Sequence, residues 1–333
     1  MATLAEIRAK LKQQETRSSG NGSIGDNAIY PFWNMTENES AVFRFLPDGD
    51  EKNEFFWAER SMIKLPFAGI KGETDSKPTQ VQVPCMEMYD NKTCPILADV
   101  RGWFKDPSLE DMGRKYWKKR SYIFQGFVVS GSMKEENEPE NPIRRFIIGP
   151  QIFQIIKASL LDPDMEEMPT DYTNGIDFRL NKTSKGGYAD YSTSNWSRRS
   201  RPLDDSEMHA ISTYGLFNLS NSLPKEPNEV ELAVIQEMFE ASVDGEPYDP
   251  DRWGQYYRPA GMMPTGESRD SVSAPVVEKK PSKPVVSSVS DDDEDDYPSN
   301  NTSENVQTKP SADSSSGNNA QDILAMIRSR QNK

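Results

Sequence analysis

The sequence predicts a mainly β domain of antiparallel strands with helical insertions, preceded by a short basic arm and followed by a long acidic tail. Three observations carry this. Six segments rich in β-branched or aromatic residues, each bounded by Pro, Gly, Asn or Asp, lie between Ala41 and Trp196. Only two segments between Ala41 and Val243 show a sustained helical period. After about Pro259 the composition changes to Ser, Pro, Val and Lys, then to a run of acids.

Taken in order, the chain opens with Thr3-Leu-Ala-Glu6, a capping box. Leu4, Ile7 and Leu11 form an apolar stripe there beside Arg8, Lys10 and Lys12, and Ser18-Ser-Gly-Asn-Gly-Ser23 reads as a linker. Residues 1–25 are therefore expected to be a separate arm, with 26–258 as the folded core. The expected strands are 41–46, 55–63, 122–129, 144–148, 176–181 and 188–196. Lys185-Gly186-Gly187 signals a hairpin that needs positive φ at its glycines. The helices are 150–160, opened by proline with Ile152, Phe153, Ile156 and Leu160 inward, and 228–243, capped by Asn228 and Glu231. Strands outnumber helices, which favours an antiparallel barrel of the oligonucleotide-binding (OB) type. Residues 259–320 lack the apolar content to offset chain entropy and are expected to be disordered. Residues 321–333 recover a short amphipathic pattern, and Leu324-Ala-Met-Ile-Arg-Ser-Arg330 repeats Leu4-Ala-Glu-Ile-Arg-Ala-Lys10.

Charge is segregated. The chain of 333 residues carries a net −14, with 35% hydrophobic residues and mean hydropathy −0.78. Residues 287–322 hold nine acids and one base, whereas 101–134 hold eight bases against three acids and 176–201 six against two. Local fields of this kind steer ligands even when the whole-chain sum has the opposite sign. No apolar run is long enough to span a membrane and no signal-peptide h-region is legible, so a cytosolic protein is expected.

Catalytic chemistry finds little support. The one histidine, His209, has no cysteine nearby, and neither a Walker loop nor a Gly-x-Gly-x-x-Gly turn is present, so no enzyme activity is expected. Binding to single-stranded nucleic acid needs cations that track phosphates and flat side chains on which bases stack. Both occur together here. Lys115, Tyr116, Trp117, Lys118, Lys119, Arg120 and Tyr122 form one cluster, and Arg144, Arg145 and Phe146 a second. Lys185, Tyr188 and Tyr191 form a third, followed by Trp196-Ser-Arg-Arg-Ser-Arg201, with Tyr89 and Trp103 near the first. The same pattern leaves open a single-stranded RNA-binding regulator, or an acidic-tailed interaction module.

Five motifs in order, Ala41-Val-Phe-Arg-Phe-Leu-Pro47, Tyr89-Asp-Asn-Lys-Thr-Cys-Pro95, Trp117-Lys-Lys-Arg-Ser-Tyr122, Ile143-Arg-Arg-Phe-Ile-Ile-Gly149 and Gly187-Tyr-Ala-Asp-Tyr191, give the chain a likeness to a known family. It resembles the single-stranded DNA-binding, helix-destabilising proteins of T-even-type bacteriophages. The resemblance implies an OB core that coats single strands cooperatively in replication, recombination and repair, in the cytoplasm of an infected bacterial host. It implies self-association through the arm (Arg8, Lys10, Lys12). Through the tail it implies capture of phage replication and recombination proteins, here by Asp291, Asp292, Asp293, Glu294, Asp295, Asp296, Leu324 and Ile327. Better-known members hold a structural zinc with one histidine and three cysteines. Cys85 and Cys94 match two of those positions, Leu97 stands at the third, and no histidine precedes Cys85. No zinc or other cofactor is therefore expected, with Ile96, Leu97 and Val100 packing in its place.

Overall fold

The computed structural model describes residues 28–260 and 262, apart from 91, 134, 136 and 137. The expected arm and tail, with Arg8, Lys10, Lys12, Asp291, Asp292, Asp293, Glu294, Asp295, Asp296, Leu324 and Ile327, lie outside the described residues. The described chain is built on a large antiparallel sheet with helices packed around it. Its strands are β1 (Ser40–Leu46), β2 (Trp57–Phe67), β3 (Thr79–Pro84), β4 (Lys119–Gly131), β5 (Arg144–Ile148), β6 (Ile176–Asn181), β7 (Thr183–Lys185), β8 (Tyr188–Asp190) and β9 (Asn195–Ser200). Seven of them form one sheet in the order β3-β2-β4-β1-β6-β9, with β5 also on β4, while β7 and β8 make a separate hairpin. The helices are α1 (Pro95–Trp103), α2 (Glu110–Tyr116), α3 (Pro150–Leu160), α4 (Asp205–Tyr214), α5 (Glu229–Val243) and α6 (Pro250–Trp253).

The long strand β4 organises the sheet. Its residues Tyr122 to Gly126 pair with β5 along one edge. Along the other edge β2 pairs with Lys119 to Phe124, and β1 takes over from Gln125 to Gly131. Gly126 sits at this handover, where an added Cβ would lie 2.1 Å from the carbonyl oxygen of Arg44, so a residue without a side chain is required. The sheet is not closed into a barrel, because its order ends on β3 at one side and β9 at the other.

Alternation along the strands sends residues to opposite faces. One face of β1, β4, β5 and β6 presents Phe43, Phe45, Tyr122, Phe124, Phe146 and Phe178, all buried in one cluster. These rings pack on one another, with centroids 4.4 Å apart for Phe43 and Phe146 and 4.9 Å for Phe45 and Phe124. Helix α3 covers them with Ile152, Phe153 and Ile156, and Phe153 lies flat on Tyr122 at 3.4 Å. The second core lies between the far half of β2, β3, and helices α1, α2, α5 and α6. It contains Leu65, Val83, Leu97, Val100, Met238 and Trp253 together with Cys85 and Cys94.

A charged side chain crosses the first core's margin. Arg44 on β1 is fully buried, and its guanidinium donates to the carbonyls of Asp171 (2.8 Å) and Arg201 (2.9 Å) and to the Asp177 carboxylate (3.4 Å). Arg201 in turn bridges Asp177 at 2.9 Å and holds Glu207 of α4 through two contacts of 2.7 and 2.8 Å. The network ties β1, β6, the end of β9 and α4 together, and it pairs a charge that would be costly to bury alone.

The predicted strands 144–148 and 176–181 and helix 150–160 are present with the expected ends, and strands 41–46, 55–63 and 122–129 and helix 228–243 with shifted ends. The expected strand 188–196 is instead two strands, because the Asp190 carboxylate accepts from the backbone and hydroxyl of Ser192 and turns the chain. β3, β7 and the short helices α1, α2, α4 and α6 were not among the expected elements. Short helices of this kind draw their stability mainly from tertiary packing. No described helix is long and apolar enough to cross a membrane.

Candidate nucleic-acid interface

The strand register divides the expected contact residues into two groups. Trp103, Tyr116, Trp117, Tyr122, Phe146 and Tyr191 are buried, which corrects their expected role as stacking platforms. Trp103 lies against Phe239 at 5.9 Å, and the Tyr116 hydroxyl meets Ser242 Oγ at 3.0 Å inside the helical core. Trp117 packs edge-on against Phe104, Phe146 against Phe43, and Tyr191 edge-on against Phe32. A ring closed in on both sides has no face to offer a base. The physical reason is packing: helices take Trp103 and Tyr116 into the helical core, and in β5 even the cation Arg144 shares the buried face of Phe146.

Arg144 is corrected too. It is buried, grips both carboxylate oxygens of Glu135 at 2.5 and 2.8 Å, and lies over the Tyr30 ring at 5.4 Å. Lys118 donates to Glu87 Oε2 at 2.8 Å. Tyr89 is half-buried; its hydroxyl donates to the carbonyls of Pro224 and Lys225, and burial pushes its pKa up to about 12. These residues serve the fold first.

The second group faces outward. Tyr188 is 63% exposed at the tip of the β7–β8 hairpin, with Lys185 beside it. Gly186 and Gly187 make that turn with φ of 63° and 88°, the positive values the sequence required. Next to the hairpin in sequence, β6 and the sheet's terminal strand β9 present Arg179, Arg198 and Arg199, all exposed. Among the described residues no carboxylate pairs with these three arginines. Arg179 was not singled out from the sequence. Its signal was there, a cation between Phe178 and Leu180 in a strand whose apolar positions are both buried.

Further cations are distributed over β2, β4, β5 and α2. Lys119 and Arg120 are half-buried at the start of β4, and Lys115 is exposed on α2, 5.9 Å over the Tyr116 ring. Arg60 on β2, also missed from the sequence, donates from Nε to Ser121 Oγ at 3.1 Å. Arg145 on β5 donates to Ser222 Oγ at 2.6 Å and lies over the Phe217 ring at 5.2 Å. Burial lowers the pKa of both arginines, the direction expected when a guanidinium loses water. Both carry their charge at physiological pH, as guanidinium groups do.

Cys85 and Cys94 are both buried and unbridged, at the starts of the Met86–Met88 turn and of α1, in the same cluster as Ile96, Leu97 and Val100. Hydrogen bonding between the two thiols holds Cys85 above and Cys94 below the ordinary thiol range. Among the described residues no group of three or more His, Cys, Asp or Glu side chains is placed to hold a metal ion. Two thiols fall short of the four ligands a structural zinc needs, so this donor set does not fit that metal.

No protein-family model matches the chain, and no curated protein matches it in sequence.

Proposed function

We propose that this protein binds single-stranded DNA cooperatively and with little base preference, as a non-catalytic coat during phage replication, recombination and repair. The observation that carries the reading is the exposed set Arg179, Lys185, Tyr188, Arg198 and Arg199, three of them arginines without a carboxylate partner among the described residues. Exposed cations and an exposed ring are the two ingredients of sequence-tolerant single-strand binding. Lys115, Lys119, Arg120, Arg60 and Arg145 add positive charge elsewhere on the sheet and its flanking helix. An OB-type core fits this function, and the end-to-end placement of β2 and β1 along one edge of β4 supports that description of the sheet. The arm would link neighbouring copies on the strand. The acidic residues 291–296 would compete with DNA for the cationic surface and help to recruit partners. The host cytoplasm is the site of action in this reading.

Tryptophan-fluorescence titration with single-stranded DNA, single-stranded RNA and duplex DNA across a salt series tests it. Six phosphate contacts give a log–log salt slope of roughly −4, at about −0.7 per contact. Equal or tighter binding to duplex would sink the proposal, and a clear preference for RNA would redirect it to the regulator reading.

A further inference from the structure

A cleft beside β2 adjoins Arg60 and Arg145 but differs from them in chemistry. Asp50, Lys52, Phe55, Trp57, Glu59 and Leu223 line an open space of about 420 Å³. Phe55 is 56% exposed, and its ring lies 4.7 Å from that of half-buried Trp57 with the planes 33° apart. The backbone from Trp57 to Ser61 is paired with β4 on one side, while β3 joins the other side only from Met62 onward. Apolar surface is therefore presented along a strand edge that no other named strand covers. The charged residues lining it are Asp50 and Glu59 against Lys52, and the loop of residues 48–54 that supplies part of the rim also carries Asp48, Glu51 and Glu54. Such a rim repels a phosphate backbone and attracts a cationic, partly apolar chain.

The sequence contains a segment of that kind near each end. Leu324-Ala-Met-Ile-Arg-Ser-Arg330 places Leu324 and Ile327 three apart, with Arg328 and Arg330 among them and no acid. Leu4-Ala-Glu-Ile-Arg-Ala-Lys10 repeats the pattern but includes Glu6, which opposes an acidic rim. We propose that the cleft docks residues 324–330 of the same chain, Leu324 and Ile327 against Phe55 and Trp57, Arg328 and Arg330 against the acidic rim. Chain length is no obstacle, because the sixty residues between Met262 and Ile323 reach up to roughly 200 Å at about 3.3–3.6 Å each. The tether also holds the segment at an effective concentration of about millimolar, so a weak contact suffices. The contact is independent of nucleic-acid binding and would seat the C-terminal segment on the core in the absence of DNA.

Hydrogen exchange of the full-length protein, without nucleic acid and at low salt, tests the docking directly. Wild type is compared with the Leu324→Asp/Ile327→Asp double variant and, from the other side of the contact, with Phe55→Ala. Backbone amides of residues 48–60 should exchange roughly fivefold faster in the double variant, while β4 and β5 stay unchanged. Amides of residues 324–330 should in turn lose protection in Phe55→Ala, and 1 M salt should remove protection from both segments in wild type. Identical exchange of 48–60 in wild type and the double variant overturns the proposal. So does protection that grows with protein concentration, which would assign the cleft to a second copy. Protection of 48–60 in the double variant on adding oligothymidylate would make the cleft a base platform, and overturns it as well. Because the first comparison contains no DNA, its failure is distinct from a failure of the single-strand reading.

Discussion

The ring-filled lobe of the sheet and the helical lobe around the cysteines bury their interiors by different routes. In the sheet lobe, distant strands bring Phe43, Phe45, Phe124, Phe146 and Phe178 into contact, and the buried Arg44 network clamps its margin. In the helical lobe, short elements pool Leu97, Val100, Met238 and Trp253 around two thiols. Both lobes drew on the same basic-aromatic stretches of sequence. The difference teaches that such a stretch reports amphipathic packing first, and that nucleic-acid contact falls to whatever the packing leaves outside.

The comparison can be broken most sharply at Phe146. Phe146→Ala opens a cavity in the ring cluster and should lower stability by about 3–5 kcal/mol, read by denaturant unfolding. A cost near zero would mean the rings are not what holds the sheet lobe together. The pair Tyr122 and Tyr188 sharpens the distinction between core and surface. Tyr122→Ala should cost about 3 kcal/mol of stability, because its ring lies on Phe153. Tyr188→Ala should change stability by no more than about 0.5 kcal/mol, yet weaken single-stranded DNA binding by about 1–3 kcal/mol. The reverse pattern would put the binding face on the α3 side of the sheet.

Smaller effects belong to the helical lobe. Cys85→Ala and Cys94→Ala should each cost about 1 kcal/mol, as ordinary losses of a buried side chain. Chelator should leave the melting temperature of wild type where it was, and metal analysis should find well under one zinc per chain. Stoichiometric zinc surviving dialysis would show that groups beyond the two thiols complete a site. The smallest effect is the acid dependence of a single tie. The Lys71 ammonium, 2.6 Å away, holds Asp249 below the ordinary carboxylate range. A folded pKa depressed in this way adds stability that is present above the unfolded value near 4 and is lost as pH falls through the lower folded one. Thermal melts of Asp249→Asn should therefore fall less steeply below pH 4 than those of wild type. Because Lys71 is largely exposed, solvent screens the pair and the difference will be small.

Local signals were legible where neighbouring residues settle the outcome among themselves. Pro150 opening α3, the reciprocal Asn228 and Glu231 cap of α5, and the two glycines of the β7–β8 turn all stand where the sequence placed them. The site was less legible. Lys185 and Tyr188 face outward as expected, but Trp117 and Tyr122, which carry the same signature, point inward. Arg60 and Phe55 gave no warning, since one exposed Phe or one cation in a strand is unremarkable until its neighbours across the sheet are known.

By itself the sequence determined the alternation of apolar and polar positions, the caps and turns, and the segregation of charge, because each depends on residues a few places apart. Tertiary structure alone decided which side of each strand met the core. That choice rests on register between strands far apart in the chain, and a slip of one residue exchanges the two faces. Pairing Phe124 with Phe146 and Phe43 with Phe178 put those rings inside and left Arg179 outside, and the pairing of Trp57 with Phe124 brought Phe55 to the edge of β2 beside an acidic loop.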